Sequence, residues 1–142
     1  MTTIERAQVL DEARIGAFAE QLMGAYTGAM TSCMIDLGQR TGLFDAASHG
    51  PATSAELAER AGLQERYVRE WLSAVTCAGI ATYDPATETY TFPPEHLLCL
   101  TGATEMNLAP LSAACTHLSH FVAPVEAAFR DGGGVPYDRY RP

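Results

Sequence analysis

Residues 55–96 read AELAERAGLQERYVREWLSAVTCAGIATYDPATETYTFPPEH, and the punctuation of this stretch decides the fold. Thr53 or Ser54 stands ahead of it as a helix cap, Glu56 falls near the first turn, and Gly62 closes a short helix over 55–61. Gln64 or Glu65 opens a second helix running to about Ala78. In it Tyr67, Val68, Trp71, Leu72 and Val75 recur at spacings of three and four, which is one helical face. Two helices joined by a tight glycine-containing turn form a helix-turn-helix. Gly79 stops the second helix. Ile80–Tyr83 and Thr89–Phe92, rich in β-branched and aromatic residues, then flank the turn segment Asp84–Glu88 as a hairpin. A helix-turn-helix followed by a hairpin is a winged helix, and Pro93-Pro94 ends the wing because proline cannot continue a ladder.

Upstream, residues 11–40 read as one long helix with Asp11 and Glu12 at its N-terminus, where carboxylates meet unpaired N–H groups. Ile15, Phe18, Leu22, Tyr26, Ala29, Cys33 and Leu37 draw an apolar stripe along it, and Met23, Met30 and Met34 broaden the stripe. Gly16, Gly24, Gly28 and Gly38 each cost about 1 kcal/mol of helix propensity relative to Ala, which predicts close packing against the helix. A helix that is apolar nearly all round belongs either to the core of one chain or to an interface, and the sequence weighs these equally. Gly42 is expected as a left-handed cap, and His49-Gly50-Pro51 as a turn.

Beyond the wing, Glu95–Leu100 reads as a short helix broken at Thr101-Gly102. A longer one is expected from Glu105 to about Phe129, broken or kinked at Pro110 and Pro124. Residues 131–142 show neither helical nor strand periodicity and read as a loop or linker. The expected architecture is mainly α with a small β-hairpin: a long N-terminal helix in 1–52, a winged helix-turn-helix over 53–94, C-terminal helices over 95–130 and a linker over 131–142.

Composition narrows the function. The 142 residues carry 17 acidic and 9 basic side chains for a net charge of −8, and every basic residue is Arg. A lysine Schiff base and a P-loop lysine therefore have no residue to build them in this chain. The helix expected to read DNA sets Arg66 and Arg69 against Glu65 and Glu70, and the wing turn carries Asp84 and Glu88 with no basic residue. Nucleic acid binding needs clustered positive charge, so the winged helix reads as a protein-packing module, with a DNA-binding transcription factor ranked below it. Cys33, Cys77, Cys99 and Cys115 form no CxxC pair and read as free thiols in a reducing compartment. The opening MTTIERAQVLDEAR is too polar for a signal peptide, and no apolar run approaches a membrane span; a cytoplasmic protein is expected, with no membrane partner.

Catalytic patterns are sparse. Cys115, His117 and His120 form the one Cys/His cluster, but on a helix Cys115 lies about 140° from His120, so a single metal could not easily collect all three. The histidines read as core or pocket-lining residues, and no metal, no catalytic residue and no bound cofactor is expected in this chain. No GxSxG, HExxH or GxxxxGK[ST] occurs. Gly132-Gly133-Gly134 follows a helix and precedes Pro136, the wrong setting for a phosphate-cradling loop.

The segment 55–96, with RYVREWL over 66–72, Tyr83-Asp84-Pro85 and Pro93-Pro94-Glu95-His96, resembles the N-terminal winged-helix domain of bacterial class I S-adenosylmethionine-dependent methyltransferases of the actinobacterial type. The long leading helix ending Gly42-Leu43-Phe44 and the tail Phe129–Tyr137 extend the likeness over residues 13–140. In that family the long helices dimerise and the later helices form a lid over the acceptor-substrate pocket. The resemblance therefore implies a homodimer and a dimerisation and substrate-lid domain of a small-molecule methyltransferase, without catalytic power alone. It implies Ile15, Phe18, Leu22 and Tyr26 at the dimer contact. It also implies Met30, Met34, His117, His120, Phe121 and Tyr137 facing a pocket for a hydrophobic small molecule, where a histidine could orient an acceptor hydroxyl or take its proton. S-adenosylmethionine would belong to the full-length enzyme alone, since the glycine-rich fingerprint is missing here. The expectation is either a piece of such an enzyme or a stand-alone ligand-binding or regulatory relative.

Overall fold

Asp11 turns extended just ahead of the first helix, and its carboxylate accepts from the N–H groups of Ala13 and Arg14 at 3.0 and 3.2 Å. From that cap, helix α1 (Glu12–Arg40) runs 29 residues, about 43 Å at 1.5 Å per residue. The computed structural model describes residues 10–102 and 105–140. The polar start of the chain, over 1–9, lies outside them.

After α1 come α2 (Leu43–Ala47), α3 (Ser54–Ala61), α4 (Glu65–Cys77), β1 (Thr82–Asp84), β2 (Thr89–Thr91), α5 (Pro94–Leu100), α6 (Pro110–Ser119) and α7 (Val122–Asp131). The helix-turn-helix is α3–α4. A capping box opens α3: Glu56 N donates to the Thr53 hydroxyl, while the Glu56 carboxylate accepts from Thr53 N at 2.8 Å. Gly62, at φ 68°, closes it, as only a residue free of Cβ strain does cheaply. The wing pairs Thr82 with Thr91, Tyr83 with Tyr90 and Asp84 with Thr89, antiparallel, and a bridge from Ala52 to Tyr90 adds a third-strand stub. His96 Nδ1 lies 2.9 Å from Ile80 O and ties α5 to the base of the wing.

The core lies between α2, α3, α4 and the wing. Phe44, Leu57, Leu72, Val68 and Val75 are fully buried there. Trp71 stacks on Phe92 at 5.8 Å and meets Phe44 edge-on at 5.3 Å. Gly38 lets this aromatic cluster reach α1: a Cβ there would sit 2.6 Å from Phe44 and 2.7 Å from Trp71.

Several expectations are corrected. Residues 43–47 are helical rather than a mere stop, because Leu43, Phe44, Ala46 and Ala47 all turn into the core. The strands are three residues each, shorter than the four-residue runs. Tyr67 leaves the buried face of α4 and is 70% exposed. No helix starts at Glu105; α6 begins at Pro110, whose missing N–H costs nothing at a first turn. The break after it falls at His120-Phe121 instead of Pro124, which sits in the first turn of α7. Tyr137–Tyr140 form a short 3₁₀ turn inside the expected linker. Gly16, Gly24 and Gly28 have nothing near their Cβ positions, so of the four helix glycines only Gly38 marks close packing within the chain.

Candidate functional site

Every residue from Leu10 through Met30 is exposed, so the first nineteen residues of α1 have little intramolecular cover. Ile15, Phe18, Met23, Tyr26 and Met30 are each more than half exposed, and Leu22 more than a third. All four residues expected at a dimer contact thus lie on this free length, on the apolar stripe. Such a concentration of large apolar side chains is rare on the surface of a monomer.

Met30 and Met34 line an apolar groove of about 170 Å³ between α1 and the end of α4, with Ala74 and Cys77 opposite. The opposite side of α1 packs on α6. There the Thr116 hydroxyl donates to Asp36 Oδ2 at 3.0 Å, and Arg40 Nε donates to Asp36 Oδ1 at 2.8 Å. The Arg40 hydrogen bond holds the Asp36 carboxyl below its ordinary range; burial opposes it and the Thr116 bond adds to it. This clasp went unread in the sequence, although a carboxylate in the run CMIDLG was its signal.

His117, Phe121, Tyr137 and Tyr140 gather at the far end of α6. Phe121 stacks on Tyr140 at 4.4 Å, His117 meets Phe121 edge-on at 5.1 Å, and Tyr137 approaches Tyr140 at 6.5 Å. His117 Nε2 lies 3.3 Å from Tyr140 O. Tyr140 completes the cluster and was missed in the sequence, where its spacing of three from Tyr137 was the available sign. His120 caps the end of α6 and is exposed. Within one chain these residues and the Met30–Met34 groove are on different sides of α1. The cluster offers planar, weakly polar faces suited to stacking an aromatic molecule.

Among the described residues no group of three or more His, Cys, Asp or Glu side chains is placed to hold a metal. The four cysteines are free. Gly132, Gly133 and Gly134 all take positive φ, but they follow α7 and run into Val135-Pro136, with no strand before them. They do not fit a nucleotide cradle, which needs a strand before it and a helix N-terminus after it. Among the described residues no helix is long and apolar enough to cross a membrane.

The face that a DNA reader would present is balanced to acidic. Arg69 is engaged by Glu65 at 3.6 Å, and Glu65 also accepts from the Ser54 hydroxyl at 2.7 Å. In the wing turn, Ala86 N and the Thr87 hydroxyl donate to Asp84, which holds its carboxyl below the ordinary range and keeps it charged.

The family model for the Rv2258c-like winged HTH domain matches residues 29–102. Three solved structures share the fold. RosA from Streptomyces davawensis, an N,N-8-amino-8-demethyl-D-riboflavin dimethyltransferase, aligns with TM-score 0.66 at 20% identity over 83% of this chain and 35% of its own. The mitomycin 7-O-methyltransferase MmcR gives 0.61 at 19% over 91% and 40%. PigF with SAH gives 0.59 at 19% over 77% and 31%. The chain thus spans 31–40% of the length of these structures. No curated protein sequence matches it.

Proposed function

Because this chain belongs to the Rv2258c-like winged helix-turn-helix family, we propose that it acts as the dimerisation and substrate-lid domain of a small-molecule S-adenosylmethionine-dependent methyltransferase, without catalytic power alone. The observation that carries this reading is the uncovered apolar length of α1, residues 12–30, which needs a partner surface to leave water. The fold shared with two methyltransferases and with PigF, which holds SAH, each structure extending well beyond the aligned region, supports placing the chemistry outside these residues. Ile15, Phe18, Leu22 and Tyr26 form the dimer contact. The residues that would face a hydrophobic acceptor substrate are Met30 and Met34 on one side of α1 and His117, His120, Phe121 and Tyr137 on the other. S-adenosylmethionine serves the full enzyme, bound elsewhere, since Gly132–Gly134 offer it no cradle.

Sedimentation velocity on the chain, with calorimetric titration of S-adenosylmethionine, tests the reading. A dimer that takes up no S-adenosylmethionine is expected. A monomer at tens of micromolar, or stoichiometric cofactor binding, overturns it.

A further inference from the structure

Between the last turns of α1 and the start of α4 lies a pocket of about 220 Å³ whose lining is almost wholly apolar. Leu37 borders it from α1, Leu63 and the buried Val68 from the helix-turn-helix, and Tyr67 and Trp71 from one face of α4. The two aromatic residues are four positions apart, so their side chains are neighbours one helical turn apart. Trp71 is a fixed wall: its ring stacks on Phe92 at 5.8 Å and its N–H donates to Met34 O at 2.8 Å. Tyr67 is exposed at the mouth, although its spacing puts it on the apolar face of α4. An apolar cavity of about 150 Å³ stays dry when empty and holds a benzene ring. By that measure this pocket has room for one or two rings. We infer that it binds a small neutral aromatic molecule of that size carrying one hydrogen-bond donor, of the phenol or indole kind.

The few polar atoms set the chemistry of the guest. Thr41 lines the pocket, and its hydroxyl proton is committed to Leu37 O at 2.6 Å, which leaves the oxygen to accept. Gln64, whose side chain makes no capping bond at the start of α4, adds an amide oxygen that also accepts. A phenolic O–H or a ring N–H therefore finds an acceptor on entering. Among the described residues no charged side chain lines the pocket, and the chain carries a net charge of −8. A carboxylate would lose its hydration there with no cation to replace it. The rings of Tyr67 and Trp71 favour an aromatic guest over an aliphatic one, because they supply face and edge contacts beyond simple burial. None of the pocket residues belongs to the dimer contact or to the acceptor-facing set proposed above, so this site stands or falls separately.

Trp71 is the single tryptophan, so 5-fluorotryptophan in the otherwise unaltered chain puts one fluorine resonance on the pocket wall. Titrated with 2-naphthol, that resonance should shift saturably at one molecule per chain. The ionised 2-naphthoate, with the same rings, should bind at least about tenfold more weakly. Two substitutions at exposed positions, where the fold tolerates change, test the location. Leu37→Phe takes room from the guest and Tyr67→Ala removes a wall, and each should weaken 2-naphthol at least about tenfold. No shift up to the solubility limit of 2-naphthol overturns the inference. Binding that survives both substitutions, or 2-naphthoate bound as tightly as 2-naphthol, overturns it too. A resonance that moves with protein concentration and not with 2-naphthol shows a second copy covering the pocket, and rejects the small-molecule site.

Discussion

Asp36 in the long helix accepts a hydrogen bond from Thr116, eighty positions away, at 3.0 Å, and this pair holds α6 to α1. Asp36 is 8% exposed, so removing Thr116 takes a donor from a buried carboxylate oxygen, and removing Asp36 takes the acceptor shared by Thr116 and Arg40. Thr116→Val should cost about 1 kcal/mol and Asp36→Ala about 1–3 kcal/mol in urea unfolding. Asp36 has its pKa lowered on folding, so its contribution is present above the ordinary carboxylate range and lost as pH falls through the folded value. The thermal midpoint should drop at the acid end of a pH series, and the drop should shrink in Asp36→Asn. An unchanged acid profile in that variant would refute the clasp.

Gly38 and Gly24 sit in the same helix but predict opposite signs. A Cβ at Gly38 would collide with Phe44 and Trp71, so Gly38→Ala should destabilise by about 1–3 kcal/mol despite its better helix propensity. At Gly24 nothing lies within 4 Å, and Gly24→Ala should gain up to about 1 kcal/mol. Denaturant melts of the two variants, followed by the fluorescence of Trp71, the single tryptophan, decide the matter.

The contrast shows what a sequence can carry. The winged helix was legible because its signals are local: the Thr53–Glu56 box, Gly62, and the spacing of Val68, Trp71, Leu72 and Val75. The glycines of α1 looked equivalent because their difference depends on which of them faces Trp71, a contact set by tertiary packing. The same holds for Tyr140 beside Phe121 and for Thr116 beside Asp36. Pro124 misled in another way, since proline marks a helix interior break or a helix start, and only the position of the preceding turn distinguishes them.

The acidic wing predicts weak contact with DNA. Asp84 and Glu88 occupy the tip that would approach phosphate, and Glu88 is held there at φ 56° by the turn. Duplex DNA should show no binding at physiological salt in fluorescence anisotropy. Asp84→Lys combined with Glu88→Lys should raise binding at low salt, with a steeper salt dependence than the unaltered chain. Tight, salt-sensitive binding by the unaltered chain would reverse the assignment of this face.

Charge placed on the free half of α1 should separate association from folding. Phe18 and Tyr26 lie on the exposed length of α1, and both are about 60% exposed. Phe18→Asp with Tyr26→Asp should therefore leave Trp71 fluorescence and the unfolding of the winged helix nearly unchanged. The same change should desolvate carboxylates in any α1 pairing and shift the dimer dissociation constant upward by at least a hundredfold, roughly 3 kcal/mol. Analytical ultracentrifugation across a concentration series reads both states. If the variant still dimerises with the affinity of the parent chain, α1 is not the interface; if it unfolds, the free half of α1 is holding the body together in a way its exposure does not account for.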